Sequence, residues 1–512
     1  MSTASLHKGA ILLVLGISQL MIILDATIVN VALNHIAIEL NILNADGSIN
    51  FADIQWIVTG YALTFGGVLL LGGKLADRFG RKRIFMAGVL LFGFASLLGG
   101  FANSLGVLIA ARALQGVGGA LLAPAALSML TVVFEEGKER DRAFGVWAAI
   151  SAGGAAIGLI LGGILTQYLD WRWVFFVNVP IAIFAVWGAL RYVPESKDEN
   201  ARGFDVIGAL LITAGLALLV YGLAYVNDDT VSTGMKVGTI AGALVLIGGF
   251  FLWQARVGTP LLPLGLFKFR NLTGANIGGL FVGAGLFSSF LYLVFWMQQI
   301  NGYSPVTSGF AFLPFTVGII IGAGFSSVMM SRIGPRPLVT IGPFIAGAGM
   351  LLLGLLLEPD SSYWGVVFPT QLVISIGMGI TFPALVSGAV SGIPQENSGI
   401  ASALLNAAQQ VGGAVGVALL TAISTGRTNA LMADVLANPP TIDPAIAAAA
   451  ANDPAAAAAI QAALLAAAAG PIVEGWALAL TVGGVLIILA GIIMGTIVRN
   501  TRGAAPSGAV MH

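Results

Sequence analysis

Runs of about twenty predominantly apolar residues recur along this chain, and that length is what an α-helix needs to cross the hydrocarbon core of a bilayer. They fall near residues 9–33, 52–72, 84–102, 105–127, 143–166 and 172–193, then 205–226 and 235–255. Six more follow, near 273–299, 306–330, 338–357, 364–389, 399–424 and 475–497. Fourteen such runs in 512 residues leave little sequence for a soluble core. Within lipid every backbone polar group must be satisfied inside the protein, which a helix achieves on its own. The expectation is therefore an all-α integral membrane protein. Composition agrees: only 9% of residues are charged, against about 25% in soluble proteins. The 69 glycines and 20 prolines suit packed membrane helices.

Charge tests the count independently. An even number of spans puts both termini on one side, and the positive-inside rule makes that side cytoplasmic. Nineteen of the 23 basic residues then fall inside, Lys8 and Lys74 through Arg83 among them. Three fall outside, Arg172, Lys236 and Arg427, and Arg112 lies within a span. The predicted location is the cell (inner) membrane, multi-pass. The first apolar run is too long for a cleaved signal peptide and reads as a retained span. Residues 425–474 include the alanine-rich stretch Pro454–Gly470 and read as an external loop containing helices, since alanine favours helix but gains little from lipid.

Several functions are excluded early. The chain has no cysteine, and its three histidines, His7, His35 and His512, match no metal-ligand spacing. No metal or cofactor is expected, and the constellation that an intramembrane hydrolase or acyltransferase needs is missing. A net charge of zero gives no sign of nucleic-acid binding. No rings of charge or repeated pore motifs suggest a channel.

An internal echo organises the fourteen spans. Asp77–Lys82, "DRFGRK", follows the second span, and Ser331–Arg336, "SRIGPR", follows the second span of the last six. Two six-helix bundles separated by two extra helices would produce this, the arrangement of many repeat-built transporters. The expected divisions are 1–194, 195–270 and 271–512.

Two charges lie inside this apolar sequence. Asp25 sits in the first span and Arg112 in the fourth, both roughly 10–12 Å below the outer boundary at about 1.5 Å per residue. Each costs about 2.5–3.5 kcal/mol at a helix centre on insertion scales, so each needs a partner or a watery cavity. Burial raises a carboxylate's pKa and a guanidinium lowers it. A carboxylate between these influences can take up and release a proton; a fixed ion pair is the alternative. Asn30, Trp56, Thr59, Tyr61, Gln115, Asn406 and Gln409 are candidate cavity residues, though such residues more often make helix–helix hydrogen bonds than ligand contacts.

At these residues the chain resembles the major facilitator superfamily, in its fourteen-span drug/proton antiporter family. The signature after span two is matched by Gly73, Leu75, Ala76, Asp77, Arg78, Gly80, Arg81 and Lys82, and that of span four by Arg112, Gln115, Gly116 and Gly118. The span-one pattern runs from Leu24 to Leu33, with Asn34 where proline is usual, and "DWRWVFFVNVP" opens span six. The span-five signature keeps Gly154, Gly158, Gly162 and Gly163 but has Leu159 in place of its proline. The resemblance implies the major facilitator fold, proton handling by Asp25 and Arg112, and a loop at Asp77–Lys82 that latches the two halves in the outward-facing state. It also implies a monomer and a proton-coupled exporter of hydrophobic or cationic drugs working by alternating access. Export of lipid, siderophore or a host-made antibiotic is the alternative, and the sequence leaves open whether a periplasmic adaptor extends the route.

Overall fold

The computed structural model describes residues 3–44, 48–135, 137–199, 203–394, 397–437 and 454–500. Among these, fourteen helices are long and apolar enough to cross a membrane. The first six are α1 (Lys8–Glu39), α2 (Phe51–Phe79), α3 (Arg81–Gly100), α4 (Leu105–Val133), α5 (Arg142–Tyr168) and α6 (Trp173–Tyr192). Two follow, α7 (Val206–Ala224) and α8 (Thr233–Gln254). The last six are α9 (Arg270–Ile300), α10 (Pro305–Ile333), α11 (Pro335–Leu356), α12 (Tyr363–Val390), α13 (Ser398–Ala433) and α14 (Ala466–Ile497). The face that carries Arg81 and Lys82 is called the basic face below.

The stretch 425–474 differs in form from the expected loop. Residues as far as Ala437 prolong the helix of α13, and a helix from Pro454 runs through Pro471 into α14. Residues 438–453 lie outside the described residues. Alanine's helix propensity extends both spans past the apolar core without adding a crossing.

Close helix contact is made at glycine. A Cβ on Gly118 of α4 would lie 2.7 Å from the Phe92 nitrogen of α3, and one on Gly116 would lie 2.5 Å from the Tyr61 carbonyl of α2. Along α5, Gly154, Gly158 and Gly162 face Leu20, Leu24 and Ile28 of α1 in turn. The one-turn spacing keeps a flat ridge that lets two backbones touch.

The internal echo has a structural counterpart. Gly80 between α2 and α3 has φ 108°, and Gly334 between α10 and α11 has φ 77°, a region that favours glycine. The Lys82 N–H donates to the Glu195 carboxylate at 3.1 Å, and the Arg336 N–H donates to Asn500 Oδ1 at 3.1 Å. Each acceptor stands three residues beyond the end of the sixth span of its set. The same turn is thus closed in both sets by chain leaving the sixth helix.

The α7–α8 pair lies along the seam between α2 and α13. Leu216 and Val220 of α7 pack with Ala62 and Leu63 of α2 and with Ala414 and Ala418 of α13. Tyr225 donates to Asp53, and Asn227 Nδ2 donates to the Ala422 carbonyl at 2.6 Å, so the hairpin touches both sets of six.

The two sets meet toward the face opposite the basic one. A single apolar core takes in α9–α14 and the part of α1, α2, α4, α5 and α6 toward that face, including Leu33, Ile54, Leu108, Leu159 and Phe175. The part of α1–α6 toward the basic face has a second core around Phe85, Phe92 and Leu122, which Ala407 of α13 joins. At the seam Phe51 meets Phe295 edge-on at 4.8 Å and Trp476 at 5.7 Å. A π-helical turn, Trp296–Ile300, ends α9 and sends two successive glutamines to α1. Gln298 Nε2 donates to the Val31 carbonyl at 3.0 Å, and Gln299 Nε2 donates to Asn34 Oδ1 at 3.2 Å. Beside them α5 crosses α10, with Gly309 against the Leu159 carbonyl and Gly163 against the Pro305 carbonyl.

Candidate coupling site

Asp25 is fully buried, and so are the groups around it. Arg112 Nη1 donates to Asp25 Oδ2 at 2.5 Å. Gln115 Nε2 and Asn178 Nδ2 both donate to Asp25 Oδ1 at 2.9 Å. Helices α4 and α6 therefore converge on the carboxylate that α1 carries, with Arg112, Gln115 and Asn178, and α3 places Ser96 behind Gln115. The two charges predicted to share a depth are in direct contact.

The donors are themselves held. Arg112 Nε donates to the Ile57 carbonyl of α2 at 2.8 Å, and Arg112 Nη1 also reaches Gln115 Oε1 at 2.9 Å. Gln115 Nε2 bonds Ser96 Oγ at 2.6 Å. The guanidinium lies 4.6 Å from the Tyr61 ring centroid and 6.0 Å from that of Phe175. A buried charge pair is tolerated only when its remaining donors and acceptors are satisfied. Arg112 is planar, so it grips the carboxylate, the amide and the carbonyl at once.

Local sequence explains how α6 reaches the site. Trp171 Nε1 donates to Glu39 at 2.7 Å, and Arg172 pairs with Glu39 and lies 4.5 Å over the Trp171 ring. That clamp ties the start of α6 to the end of α1. A short helix, Trp173–Phe176, then gives way to the main helix at Asn178. Pro180 has no N–H to bond Phe176, which accounts for the interruption.

Of the candidate cavity residues, the fold brings Tyr61 and Gln115 to Asp25 and disperses the rest. Asn30 Nδ2 donates to its own helix at Ala26, and the Thr59 hydroxyl donates to Gln55. Trp56 packs toward α7. Asn406 is exposed, while Gln409 lies against Gly279 of α9. Short polar side chains in apolar helices satisfy themselves on the preceding turn. Ser96 and Asn178 were not singled out by sequence. Asn178 sits inside "DWRWVFFVNVP", where an amide near the start of an apolar span is the available signal.

The Asp77–Lys82 loop is held by its own set of helices and by the linker that leads to α7. Arg81 pairs with Asp77 at 3.0 Å, and the Asp77 carbonyl accepts from the Asp198 N–H at 2.9 Å. Arg78 lies 5.2 Å from the Phe204 ring centroid, and Gly73 faces Pro124. Among the described residues no group of three or more His, Cys, Asp or Glu is arranged to hold a metal.

Two sets of six helices, with a two-helix hairpin along their seam, define a membrane transporter of the major facilitator type. The model of the Major Facilitator Superfamily matches residues 15–417, and the chain belongs to that superfamily. It is 42% identical to the puromycin resistance protein of Streptomyces alboniger, covering 83% of each chain. It is 35% identical to the cephamycin export protein of Amycolatopsis lactamdurans, covering 82% of this chain and 85% of that one. The fold also matches the crystal structure of a bacterial homolog of the human lysosomal transporter Spinster, inward-facing and occupied, with a TM-score of 0.65 at 15% identity over 96% of this chain and 97% of that one. The chain is thus a multi-pass membrane protein whose relatives are resistance and export transporters.

Proposed function

We propose that this protein is a proton-coupled antiporter that exports hydrophobic or cationic drugs by alternating access, with Asp25 as the proton-carrying group. The observation that carries the reading is the Asp25–Arg112 pair, buried inside the bundle on the helix that also forms the seam. Val31, which accepts from Gln298, is six residues from Asp25 on α1. At about 1.5 Å per residue that is roughly 9 Å. Parting the halves at the seam moves α1 and with it the carboxylate. A group that meets water from one side and then the other can bind a proton on one side and release it on the other.

With the basic face cytoplasmic, as the charge distribution favours, the state described here is closed to the outside. The Asp77–Lys82 loop then lies at the cytoplasmic surface and would latch the halves once the protein faces outward. The decisive experiment is drug efflux driven by an imposed proton gradient in vesicles, comparing the protein with Asp25→Asn. The variant should insert and fold yet lose gradient-driven transport; efflux at the unaltered rate would end the proposal. The names of the relatives, puromycin resistance and cephamycin export, favour a second reading of the cargo, an antibiotic. Accumulation assays with puromycin and with dye cations separate the two.

A further inference from the structure

Asn178 offers Asp25 more than one hydrogen bond. Its Nδ2 donates to Asp25 Oδ1, while its own Oδ1 is buried with no partner. A buried amide carbonyl left unpaired is costly, and such exceptions call for an explanation. The surroundings supply one. As a carboxylate Asp25 is an acceptor only, and donors surround it; once protonated it carries an O–H that needs an acceptor.

Few neighbours can become that acceptor. Gln115 is committed at both ends, with Oε1 held by Arg112 and Nε2 shared between Asp25 and Ser96. Turning its amide over would point an NH2 at the guanidinium. Arg112 is a donor only. Asn178 can turn over and lose nothing but the bond it already makes to Asp25, and its free Oδ1 then faces the new O–H.

We infer that Asn178 is an amide switch for the proton site: it donates to Asp25 when ionised and, turned by about half a revolution, accepts from Asp25 when protonated. The proton comes from a hydronium ion, whose O–H bond breaks to leave water, and forms the O–H bond on Oδ1 of Asp25; the other change is the hydrogen bond that reverses. Among the described residues, the charged or titratable groups recorded against Asp25 are Arg112 from α4 and, beside that guanidinium, Tyr61 from α2. The groups from α3 and α6, Ser96 and Asn178, are uncharged. The stretch of α5 facing α1, Gly154–Gly162, has no titratable residue, and on α9 Tyr292 turns to Thr421. Asn178 is accordingly a positioning residue, and this role rests on the reading of Asp25 as the proton carrier.

Infrared difference spectra between high and low pH, on the full chain in lipid, read the switch without relying on transport. The protonated carboxyl band of Asp25 is identified by its loss in Asp25→Asn. In Asn178→Leu that band should move to higher wavenumber, because the carboxyl no longer donates its proton to an amide. Asn178→Ala, which introduces no bulk, repeats the test should leucine disturb folding. A band at the same wavenumber in a folded variant would overturn the amide switch and leave Asp25 as the carrier. Absence of any Asp25 band at any pH would overturn the proton-carrier reading itself.

Discussion

Arg112 and Asp25 are worth more to each other than either is alone. Removing the guanidinium would leave a carboxylate at 0% exposure with only two amide donors. Breaking a buried pair from one side typically costs about 3–5 kcal/mol, because the remaining charge is uncompensated. Arg112→Ala should therefore unfold at clearly lower temperature in detergent, and adding Asp25→Asn to it should recover part of the loss. A double-mutant cycle measures the difference; simple additivity of the two changes would show that the pair is not coupled. Arg112→Lys should restore little, since an ammonium cannot hold Asp25, Gln115 and the Ile57 carbonyl together. Much of this cluster is legible in sequence: a charge inside an apolar run demands a partner, and equal depth nominated the two that meet. Ser96 and Asn178 were not legible, because one polar side chain in a membrane helix looks like any other until packing shows which way it faces.

At the level of helices, glycine decides which surfaces touch, and two positions on neighbouring contacts should behave differently. A Cβ on Gly162 would stand 2.6 Å from the Ile28 carbonyl, inside the first six helices, whereas one on Gly309 would stand 2.5 Å from the Leu159 carbonyl, across the seam. Overpacking of this kind costs about 1–3 kcal/mol. Gly162→Val should lower the stability of the whole protein. Gly309→Val should instead push the halves apart at the seam, so that a single cysteine replacing Gln299 reacts faster with a water-soluble maleimide. Equal labelling rates with and without Gly309→Val would remove the α5–α10 crossing from any role in closure. The crossing also accounts for a departure seen in sequence. Leu159 stands where the family pattern has proline, and here its side chain is 3% exposed in the shared core while its backbone receives α10. Span number and the paired Arg-x-Gly turns could be read from hydropathy and the internal echo. That the alanine-rich helix of 425–474 runs unbroken into α14 could not, because helix propensity does not mark where a helix leaves the membrane.

For the whole molecule, the question is whether the seam is a wall or a gate. A wall would be expected to carry dense polar bonding or a large interlocked core along its full depth. Instead the shared core lies toward one face, and the core of α1–α6 toward the other takes in, among the described residues, Ala407 alone from the second set. Among the described residues the bonds that cross directly are few and neutral, from Gln298 to a carbonyl, from Gln299 to Asn34, whose amide replaces the family's proline, and from the Val306 N–H to Gln167 Oε1. Neutral hydrogen bonds contribute about 0.5–1.5 kcal/mol each, so a ligand or proton binding one state preferentially by a few kcal/mol can open such a seam. The absence of cysteine from the sequence makes this testable without background. Asn34→Cys combined with Gln299→Cys, joined by a short thiol cross-linker cleavable by reductant, should hold the face closed. Transport should fall to the level of empty vesicles and return on reduction, while each single cysteine variant treated alike should transport normally. If the cross-linked protein still exports at full rate, the halves do not part there, and access to Asp25 from that face must run by another path. A block that reductant relieves would instead make α1, which carries both the carboxylate and the seam, the helix through which proton and cargo are coupled.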